Sequence, residues 1–554
     1  MKSARRKSYA VPRLIAILVA LIGLIVLGNC PVLAQGFAGT ITGTVKDTSG
    51  AAVPGAAVTV KHLETGLTRA VQADATGNYS VPSLPVGEYE LTAEKMGFQR
   101  EVRRGINLVV AQEAVVNVTL QVGSIVQQVT VTEAAPLVNT TTTSTSGVIT
   151  EQQIKELPLN GRSFDQLLTI TPGTVNYTSN VGLQGNFFSV VGRRPEENKY
   201  TINGIEYLGA NAAGQPSGPY GASGQVLGVD AVREFNLIQH SYGAEYGKRA
   251  GGQVSIVTDS GTNQLHGSVF EYLRNSGLDA RNYFDQTTSA PPFRRNQFGG
   301  SLGGPLKKDK LFLFGNYEGF RQRLAVSSNA VVPDAQFRLG LLPCNVIKPA
   351  PKTCQASGYA PVPSLATGML PFASAFWPTP NGPELLVSGL PTGTALAIGN
   401  PGQAIREDFG LARFDYTVSA KDSLSVSYLT DNGDKNDPQP DAVFAQASGP
   451  RSHVVSLQET HVFSPTLLNT LSGGFTRSST RDVTLPVTPF PANLSFVTGR
   501  VPGQITIGGG VSTAAASSIV VANGNAPTGN AVNLATGSDD VHFTRGKHSF
   551  SVGV

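Results

Sequence analysis

Few residues of this chain have the types and spacing that catalysis requires. The seven histidines are scattered along 554 residues, and no nucleophile elbow or zinc-binding spacing accompanies them. The glycine-rich stretch from Gly243 to Gly252 lacks the Gly-Lys-Ser/Thr ending and the following helix pattern of a phosphate-binding loop. We therefore expect no catalytic residue, no bound cofactor and no metal, and we predict that the chain is not an enzyme.

Positive charge is clustered only at the N-terminus. Five basic residues precede an apolar run at 14–27, and Val32-Leu33-Ala34 supplies the small-residue ending of a secretory signal peptide. An uncleaved membrane anchor is disfavoured because a membrane helix needs about 20 apolar residues. We predict that residues 1–34 are removed between Ala34 and Gln35 and that the mature chain is exported.

Two cysteines of the mature chain, Cys344 and Cys354, lie in one Pro-rich segment. Exported proteins fold in an oxidising compartment, where neighbouring cysteines are commonly joined. Two cysteines with no neighbouring histidine make a poor zinc site. We therefore predict a disulfide between Cys344 and Cys354.

The composition is that of a mainly β protein. The chain contains 62 Gly and 35 Pro with only 14% charged residues, and Thr, Ser, Val and Asn occur throughout. β-Branched residues suit pleated sheets, whereas Gly, Pro and Asn suit turns. A helix is predicted only near residues 150–157, which argues against an α/β enzyme. The net charge of +4 forms no basic stripe, so nucleic acid is not an expected partner.

Residues 39–120 alternate short β-like runs with turn signals, which predicts a small immunoglobulin- or prealbumin-like β-sandwich. The segments at 43–45, 53–56, 74–79 and 84–89 resemble the carboxypeptidase regulatory-like domain. The resemblance implies recognition or spacing, sometimes of carbohydrate.

Four side chains of this region bear on its chemistry. His62 is its only histidine, so a peptidase zinc site has no ligand set, and a lone histidine is expected at the surface. Tyr79, Tyr89 and Phe98 could form a sugar-binding platform, but we expect them in the core.

Several motifs follow one another in residues 151–262, and the residues that we single out in them are Gly192, Arg193, Asn203, Gly204, Tyr246, Gly247, Gly251 and Gly252. These motifs, in this order, resemble the plug domain of TonB-dependent receptors, which implies an α+β plug. Asn203 stands where the family often has Asp, but Asn-Gly still supplies the left-handed turn of a hairpin. The glycines would permit positive φ and close backbone approach in a crowded lumen.

Residues 121–150 are predicted to be a linker, and the Thr- and Ser-rich tract within it should be mobile because it cannot bury a core. The resemblance implies a TonB box ahead of the plug, an extended segment that pairs with the periplasmic protein TonB as an added strand. Our candidate is Val129, Thr130, Val131 and Thr132. The alternative, that these residues form the last strand of the sandwich, is equally open.

Residues 263–554 predict part of a transmembrane antiparallel β-barrel. Nine strand-like runs are separated by alternately short and long connections, as in outer-membrane barrels; the runs are 266–273, 297–303, 310–318, 408–418, 423–430, 452–463, 466–477, 539–545 and 547–554. Apolar and polar residues alternate along 408–418, 423–430 and 547–554, less cleanly along 454–462, which predicts apolar side chains towards lipid and polar ones towards water. Plugged transporters have about 22 strands, so we expect this barrel to be incomplete and the chain to be a piece of a longer one.

The whole pattern resembles the Oar-like group of TonB-dependent outer-membrane receptors. The resemblance implies a protein of the cell outer membrane whose partners are TonB with its inner-membrane complex, the surrounding lipid, and a ligand. That ligand could be a ferric chelate, a glycan, a peptide or a protein, and the direction of transport stays open. The alternative function is a secreted or surface module that binds carbohydrate or matrix without transport.

Overall fold

The computed structural model describes residues 38–123, 128–132, 145–176, 187–209, 218–240, 243, 246–281, 283, 289–362, 367–487, 489–500, 505–507, 519–521, 528–545 and 548–554. The predicted signal peptide, its cleavage site at Ala34 and Gln35, and most of the Thr-rich tract lie outside these residues. Within the described ranges, no helix is long and apolar enough to cross a membrane.

The N-terminal region is a two-sheet sandwich. Its strands are β1 (Gly39–Asp47), β2 (Ala57–His62), β3 (Thr68–Gln72), β4 (Asn78–Leu84), β5 (Gly87–Glu94), β6 (Arg100–Leu108), β7 (Glu113–Val115), β8 (Val118–Leu120) and β9 (Gln128–Thr132). One sheet has the order β3-β2-β5-β6-β9, and the other has β4-β1-β7 with β8 pairing farther along β1. Tyr79 and Tyr89 are buried in the core between the sheets and Phe98 packs against it, as predicted.

The expectation for His62 was wrong. This imidazole is only 3% exposed; its Nε2 contacts the Val86 carbonyl at 3.2 Å, and its Nδ1 accepts from the Thr65 amide at 3.2 Å. Burial lowers the pKa of His62. The ring is buried because the plug and the barrel cover this end of the sandwich, which a search for zinc ligands could not detect.

The plug follows, as a mixed sheet with short helical turns. Its elements are β10 (Thr145–Ile149), α1 (Glu151–Glu156), β11 (Thr174–Asn176), β12 (Phe188–Val190), β13 (Lys199–Ile202), β14 (Ile205–Glu206), β15 (Val232–His240) and β16 (Gln253–Thr258). The main sheet has the order β10-β15-β16-β13-β14. Helix α1 confirms the predicted helix, and it begins where Thr150 and Gln153 form a capping box.

The remaining chain builds a large antiparallel sheet with decorated connections. Its elements are β17 (His266–Asn275), β18 (Phe293–Lys307), β19 (Leu311–Ala325), β20 (Ser328–Pro333), β21 (Leu341–Pro343), β22 (Tyr359–Pro361), α2 (Leu370–Phe376), β23 (Glu384–Val387), β24 (Leu390–Gly399), β25 (Gly402–Thr417), β26 (Asp422–Pro438), β27 (Phe444–Ser448), β28 (Arg451–Ser464), β29 (Leu467–Pro486), β30 (Ile505–Ile507), β31 (Ile519–Val521), β32 (Thr528–Arg545) and β33 (His548–Gly553).

Ten of these strands form one sheet within the described residues. Its order is β17-β18-β19-β25-β26-β27-β29-β32-β33, with β28 between β26 and β29. All nine predicted strands are present. Most are longer than predicted, and β27 was missed. Polar residues typical of turns extend these strands wherever a neighbouring strand forms hydrogen bonds with their backbone groups.

The long connection between β19 and β25 has structure that the sequence analysis did not predict. It contains the three-stranded sheet β20-β24-β23. The sulfur atoms of Cys344 and Cys354 are bonded here, with Cα atoms 6.2 Å apart. Phe376 at the end of α2 is fully buried, and its ring lies 5.7 Å from Phe444 and 4.9 Å from Phe490. Side chains from separate connections therefore share one aromatic cluster.

Exposed and buried side chains alternate along the strands of the ten-stranded sheet, so its two faces differ in burial. On β28, Val455 and Leu457 are about 40% exposed, whereas Val454 and Ser456 between them are buried. The predicted polar inner face needs one correction. Apolar inward residues, Phe312, Phe314, Phe320, Phe409 and Leu411, are also buried. Most of them join the core of the plug, so protein rather than water fills this part of the lumen.

An arginine placed in the middle of the outer apolar face tests which face meets lipid. We expect Leu457→Arg to cost about 2–4 kcal/mol and to reduce insertion, whereas Ser479→Arg, outward but near the long-connection end, should cost at most about 1 kcal/mol. Recovery of each variant in outer membranes of a Gram-negative host measures the difference. Equal recovery of both would contradict the assignment of the faces.

Candidate functional site

The plug meets the inner face of the sheet through hydrogen-bonding groups, and the predicted Asn203-Gly204 turn is part of this contact. Both residues have positive φ, 47° and 80°, and they join β13 to β14 as the hairpin turn that was predicted. The Asn203 amide Nδ2 donates to Ser427 Oγ on β26 at 3.0 Å and to Thr258 Oγ1 at 2.9 Å. The residue that makes the turn therefore also ties the plug to the barrel.

The predicted glycines Gly251 and Gly252 pack against other residues of the plug. Gly251 and Gly252 approach the backbone at Glu197 and Asn198: the Gly251 amide donates to the Glu197 carbonyl at 2.9 Å, and the Gly252 amide donates to Asn198 Oδ1 at 2.8 Å. A Cβ on Gly251 would lie 2.7 Å from Asn198 Oδ1, so the close approach requires glycine here.

The two remaining motif pairs occupy turns. Gly192 and Arg193 form an exposed turn after β12, in which Gly192 has a φ of 74°. Tyr246 and Gly247 are half-buried, and the Tyr246 amide donates to the Gly243 carbonyl at 3.1 Å.

Two buried carboxyl groups of the barrel bind the backbone of one plug loop. Glu318 on β19 accepts from the Gly228 amide at 2.9 Å, and Glu407 on β25 accepts from the Ser223 amide at 2.5 Å. Both glutamates are completely buried. A buried carboxylate needs hydrogen-bond partners, so these glutamates and the loop depend on each other.

Gly221 fits between two acidic side chains of the barrel. A Cβ added to it would overlap the Glu407 carboxyl group and would lie 2.7 Å from Asp431 Oδ2. The close approach of this loop to the wall therefore requires glycine.

Hydroxyl groups of the barrel continue this contact along β28 and β29. They donate to three plug carbonyls, from Ser452 to Leu208 at 3.0 Å, from Thr476 to Glu206 at 2.6 Å, and from Ser478 to Gly209 at 2.5 Å. Arg413 on β25 also donates to the Thr258 carbonyl, at 2.7 Å. We give the name polar seam to seven of the inward barrel residues that bind the plug; they are Glu318, Glu407, Arg413, Ser427, Ser452, Thr476 and Ser478.

Arg162, near the start of the plug, contacts an acidic side chain of the plug and two aromatic rings of the barrel. Its guanidinium donates to Asp230 within the plug at 2.5 Å. It also lies over the rings of Phe270 and Tyr272 on β17, 4.0 and 4.9 Å from their centroids. A cation over an aromatic face is stabilised by the ring quadrupole. One arginine therefore joins the fold of the plug to its seat in the barrel.

The sandwich docks on the plug at the short-connection end of the sheet. Glu64 of the sandwich and Arg233 of the plug form a two-pronged ion pair with distances of 2.6 and 2.8 Å. Burial alone would raise the pKa of Glu64, but the hydrogen bonds and charge of Arg233 lower it. The Val110 amide donates to Glu234, and Asn236 donates to the Val110 carbonyl at 3.3 Å. Burial raises the pKa of Glu234 to about 7.

The candidate TonB box forms β9 at the edge of the sandwich. It pairs in parallel with β6, with Val129 opposite Glu101 and Val131 opposite Arg103. The alternative prediction, a last strand of the sandwich, therefore describes its place in this structure. An edge strand can also exchange its partner, so the two interpretations are compatible.

Sequence reasoning missed the polar seam. Glu407 and Asp431 each lie one residue outside a predicted strand, and their burial depends on a plug loop about 200 residues away. The alternation of inward and outward side chains could have found these residues, because Glu318, Glu407 and Asp431 all occupy inward positions of long alternating strands.

One cluster of possible metal ligands occurs in the described ranges. The ligand atoms of Asp422, Glu459 and His461 lie within 4.8 Å of one another. His461 Nδ1 contacts Asp422 Oδ1 at 2.5 Å, so an ion pair accounts for most of this arrangement.

Three family models match the chain. Residues 257–554, more than half of the chain, match the outer membrane beta barrel domain. Residues 40–121 match the carboxypeptidase regulatory-like domain, and residues 138–254 match the TonB-dependent receptor plug domain. The chain therefore belongs to the TonB-dependent outer-membrane receptors, a family of receptors and transporters.

Two relatives and one solved structure illustrate the similarity. The TonB-dependent transporter Oar of Myxococcus xanthus is 30% identical over 294 residues, which cover 50% of this chain and 26% of Oar. The probable TonB-dependent siderophore receptor PirA of Acinetobacter baumannii is 29% identical over 185 residues, which cover 31% of this chain and 22% of PirA. The crystal structure of the outer membrane transporter YddB from Escherichia coli matches with a TM-score of 0.44 and 14% identity, over 72% of this chain and 45% of YddB. The chain thus spans about a quarter of the length of the first two relatives.

Substitution of Gly221 tests the seat of the plug. A methyl group there would displace the carboxyl groups of Glu407 and Asp431, and we expect Gly221→Ala to lower the free energy of unfolding by about 1–3 kcal/mol. Thermal unfolding of the detergent-solubilised chain measures this loss. Gly473→Ala is the control, because a Cβ at Gly473 meets nothing within 4 Å. A Gly221→Ala protein as stable as this control would show that the loop does not press against the wall.

Glu234 should make docking of the sandwich depend on pH. Its pKa is raised from 4.5 to about 7, so the folded state holds a proton that the unfolded state releases. Its contribution to stability is therefore fully present below pH 4.5 and is lost as pH rises through about 7. We expect Glu234→Gln to lose this dependence and to be up to about 3 kcal/mol more stable than the parent at pH 8.

The measurement is the unfolding midpoint between pH 4 and pH 8, with the exposed Glu88→Gln as the control. Identical pH profiles for the parent and Glu234→Gln would contradict the assignment.

Proposed function

We propose that this chain is the plug-bearing part of a receptor that moves a ligand across the outer membrane with energy relayed by TonB. The short connections and the sandwich face the periplasm, and the long connections face outward, where a ligand would first bind. The ligand class stays open among ferric chelates, glycans, peptides and proteins. The proposal gives the protein the role of a receptor and assigns no reaction to it.

The polar seam is the observation that carries the proposal. A plug that must leave its seat has to exchange its contacts with the wall for contacts with water. Hydrogen bonds between neutral polar groups contribute only about 1 kcal/mol each, and those to charged groups about 1.5–3 kcal/mol, because water replaces them when they break. The apolar contacts of Phe314, Phe320, Phe409 and Leu411 with the plug would have to be exposed to water in addition. The seam therefore lowers the free energy needed to dislodge the plug, relative to a wholly apolar wall of the same extent.

We further propose that β9 is the segment that TonB captures. It is the edge strand of its sheet, it pairs with only β6 in the described residues, and it stands directly ahead of the plug. Capture would exchange the β6 neighbour for a strand of TonB, as in β-augmentation. In the same proposal, residues 39–120 are the sandwich, 121–150 the linker, 151–262 the plug and 263–554 the partial barrel, and export uses a leader cleaved after Ala34.

A carbohydrate-binding module is the weaker alternative. Its aromatic platform would need exposed rings, but Tyr79 is 3% exposed and Tyr89 is fully buried. Phe98 packs against the same core. No observation on these side chains favours the alternative.

A proline in β9 tests the TonB proposal. Proline has no amide to donate to a partner strand, so Val131→Pro should weaken binding of the purified TonB periplasmic domain to the detergent-solubilised full chain by about tenfold or more. The control is Thr68→Pro at the first position of β3, the opposite edge of the same sheet, where proline is tolerated. Affinity measured by calorimetry should change only in the first variant.

Unchanged affinity in Val131→Pro would place the TonB box elsewhere in the chain. Loss in both variants would trace the effect to a damaged sandwich and would contradict capture through β9. If Val131→Pro keeps its affinity and is also recovered in the outer membrane, the receptor proposal stands and only the assignment of the TonB box to β9 is contradicted.

A further inference from the structure

The sandwich contacts the barrel as well as the plug, at the short-connection end of the sheet. Arg69 on β3 donates through Nη2 to the Oγ of Ser423, the second residue of β26, at 3.4 Å. Ser83 Oγ, near the end of β4, lies 2.9 Å from Thr470 Oγ1 on β29. Thr460 on β28 pairs with both Ser423 and Thr470. The sandwich therefore bridges one row of inward residues across three neighbouring strands.

Ser83 enters the lumen and does not merely rest on its edge. Its partner Thr470 is buried and lies three residues beyond Leu467, the first residue of β29. Three residues of a strand span about 10 Å. Ser83 has a φ of 56°, a conformation that a residue with a side chain keeps only where its surroundings fix it. The end of β4 therefore projects into the mouth of the barrel.

Little space remains between the sandwich, the plug and the barrel. A cavity of about 110 Å³ is lined by His62 and Ser83 of the sandwich, Arg233 of the plug, and Arg413 and Thr460 of the barrel, among others. Pockets that hold small organic ligands measure about 300–1,000 Å³. On the side of the lumen that the structure describes, a ligand of this size therefore cannot pass while the sandwich is docked.

The plug and the barrel hold the sandwich by different kinds of contact. Val86 and Val110 of the sandwich form a buried apolar cluster with Val257 of the plug, and the Glu64–Arg233 ion pair joins the same two parts. Among the described residues, no buried apolar cluster joins the sandwich to the barrel. The two barrel contacts are hydrogen bonds, which water replaces when they break. Release from the barrel is therefore easier than release from the plug.

The charge of Arg69 favours closure but is incompletely compensated. The side chain is only 8% exposed, and the carboxylates of Asp422 and Glu459 at the rim of the barrel attract it. In the part of the chain that the structure describes, its Nη1 has no hydrogen-bond partner. Removal of a charged donor from water without a full set of partners costs free energy. Docking at the rim is therefore readily reversed.

We propose that the sandwich is a hinged cap that closes the mouth of the barrel behind the plug, at the end that faces the periplasm in the proposed orientation. The cap pivots on its apolar contact with the plug and opens when Arg69 and Ser83 leave the barrel wall. Closure is a property of this chain alone, and only its role in transport rests on the proposed function. A ligand that has passed the plug would meet the closed cap next.

Labelling of a cysteine beneath the cap tests the closure in the detergent-solubilised full chain, with a water-soluble maleimide as the probe. Thr470→Cys is the reporter, and Thr466→Cys, exposed in the short connection before β29, is the accessible control. We expect Thr470→Cys to react at least about tenfold more slowly than the control, because its reaction requires the cap to open.

A charge reversal on the sandwich should open the cap. In the Thr470→Cys background, Arg69→Glu places a carboxylate beside Asp422 and Glu459, and the repulsion should raise the labelling rate by about tenfold. Arg69→Lys is the matched control, because it keeps the charge and should keep the rate low. Val86→Cys, at the contact with the plug, should stay slowly labelled in the Arg69→Glu chain, because the pivot remains in place.

Thr470→Cys that reacts as fast as Thr466→Cys would overturn the proposal, since the sandwich would then not cover the wall. Equal rates in Arg69→Glu and Arg69→Lys would overturn it as well, because the closure would not depend on the charge at this position. Fast labelling of Val86→Cys would contradict the pivot.

The labelling does not involve TonB, so its outcome is independent of the proposed function. A chain that shows the expected rates but does not bind TonB would contradict the proposed function and leave the cap. Should Arg69→Glu fail to fold, as judged by heat-modifiable gel mobility, the comparison of the two reporters in the parent chain decides.

Discussion

The fold depends on satisfying backbone polar groups at a wall that separates lipid from protein. Strands that cross a bilayer must pair all their amides and carbonyls with each other, which leaves only side chains to bind whatever fills the interior. Here the plug fills it, and its loops present backbone amides and carbonyls that need partners. The polar seam supplies them: Glu318 and Glu407 accept from amides, and Ser452 and Thr476 donate to carbonyls.

This is possible because successive side chains of a β-strand point to opposite faces of the sheet, so that one strand contacts lipid on one face and the plug on the other. On β28, Leu457 faces outward while the buried Ser456 contacts the seam residue Ser427. The inner face changes from polar to apolar wherever the core of the plug touches the wall. Under the proposed function, ligand capture and release of the plug would fall to different ends and faces of the same sheet.

Sequence patterns predicted those features that depend on neighbours in the chain. The nine strands followed from strand-like runs separated by turn residues, helix α1 from a short run of helix-forming residues, and the turn at Asn203 from Asn-Gly chemistry. Long-range contacts were not predictable in this way. His62 is buried because other parts of the chain cover it, and Glu407 became a site residue only through the plug loop at Ser223. The C-terminal end of β26 was placed too early, because its polar residues resemble a loop until the pairing with β27 is known.

The most direct test of the account is a cross-link between the plug and the barrel in native membranes. Asn203 Nδ2 and Ser427 Oγ are 3.0 Å apart, so cysteines at these two positions lie close enough for a short bifunctional thiol reagent, and the pair Asn203→Cys/Ser427→Cys should be cross-linked by it when the chain is expressed in the outer membrane of a Gram-negative host. The matched pair Asn203→Cys/Val426→Cys should not, because Val426 lies on the opposite face of the same strand. Cross-linking of the first pair alone is the predicted result. No cross-link in the first pair, with both cysteines open to thiol reagents, would show that the plug is not seated on the polar seam.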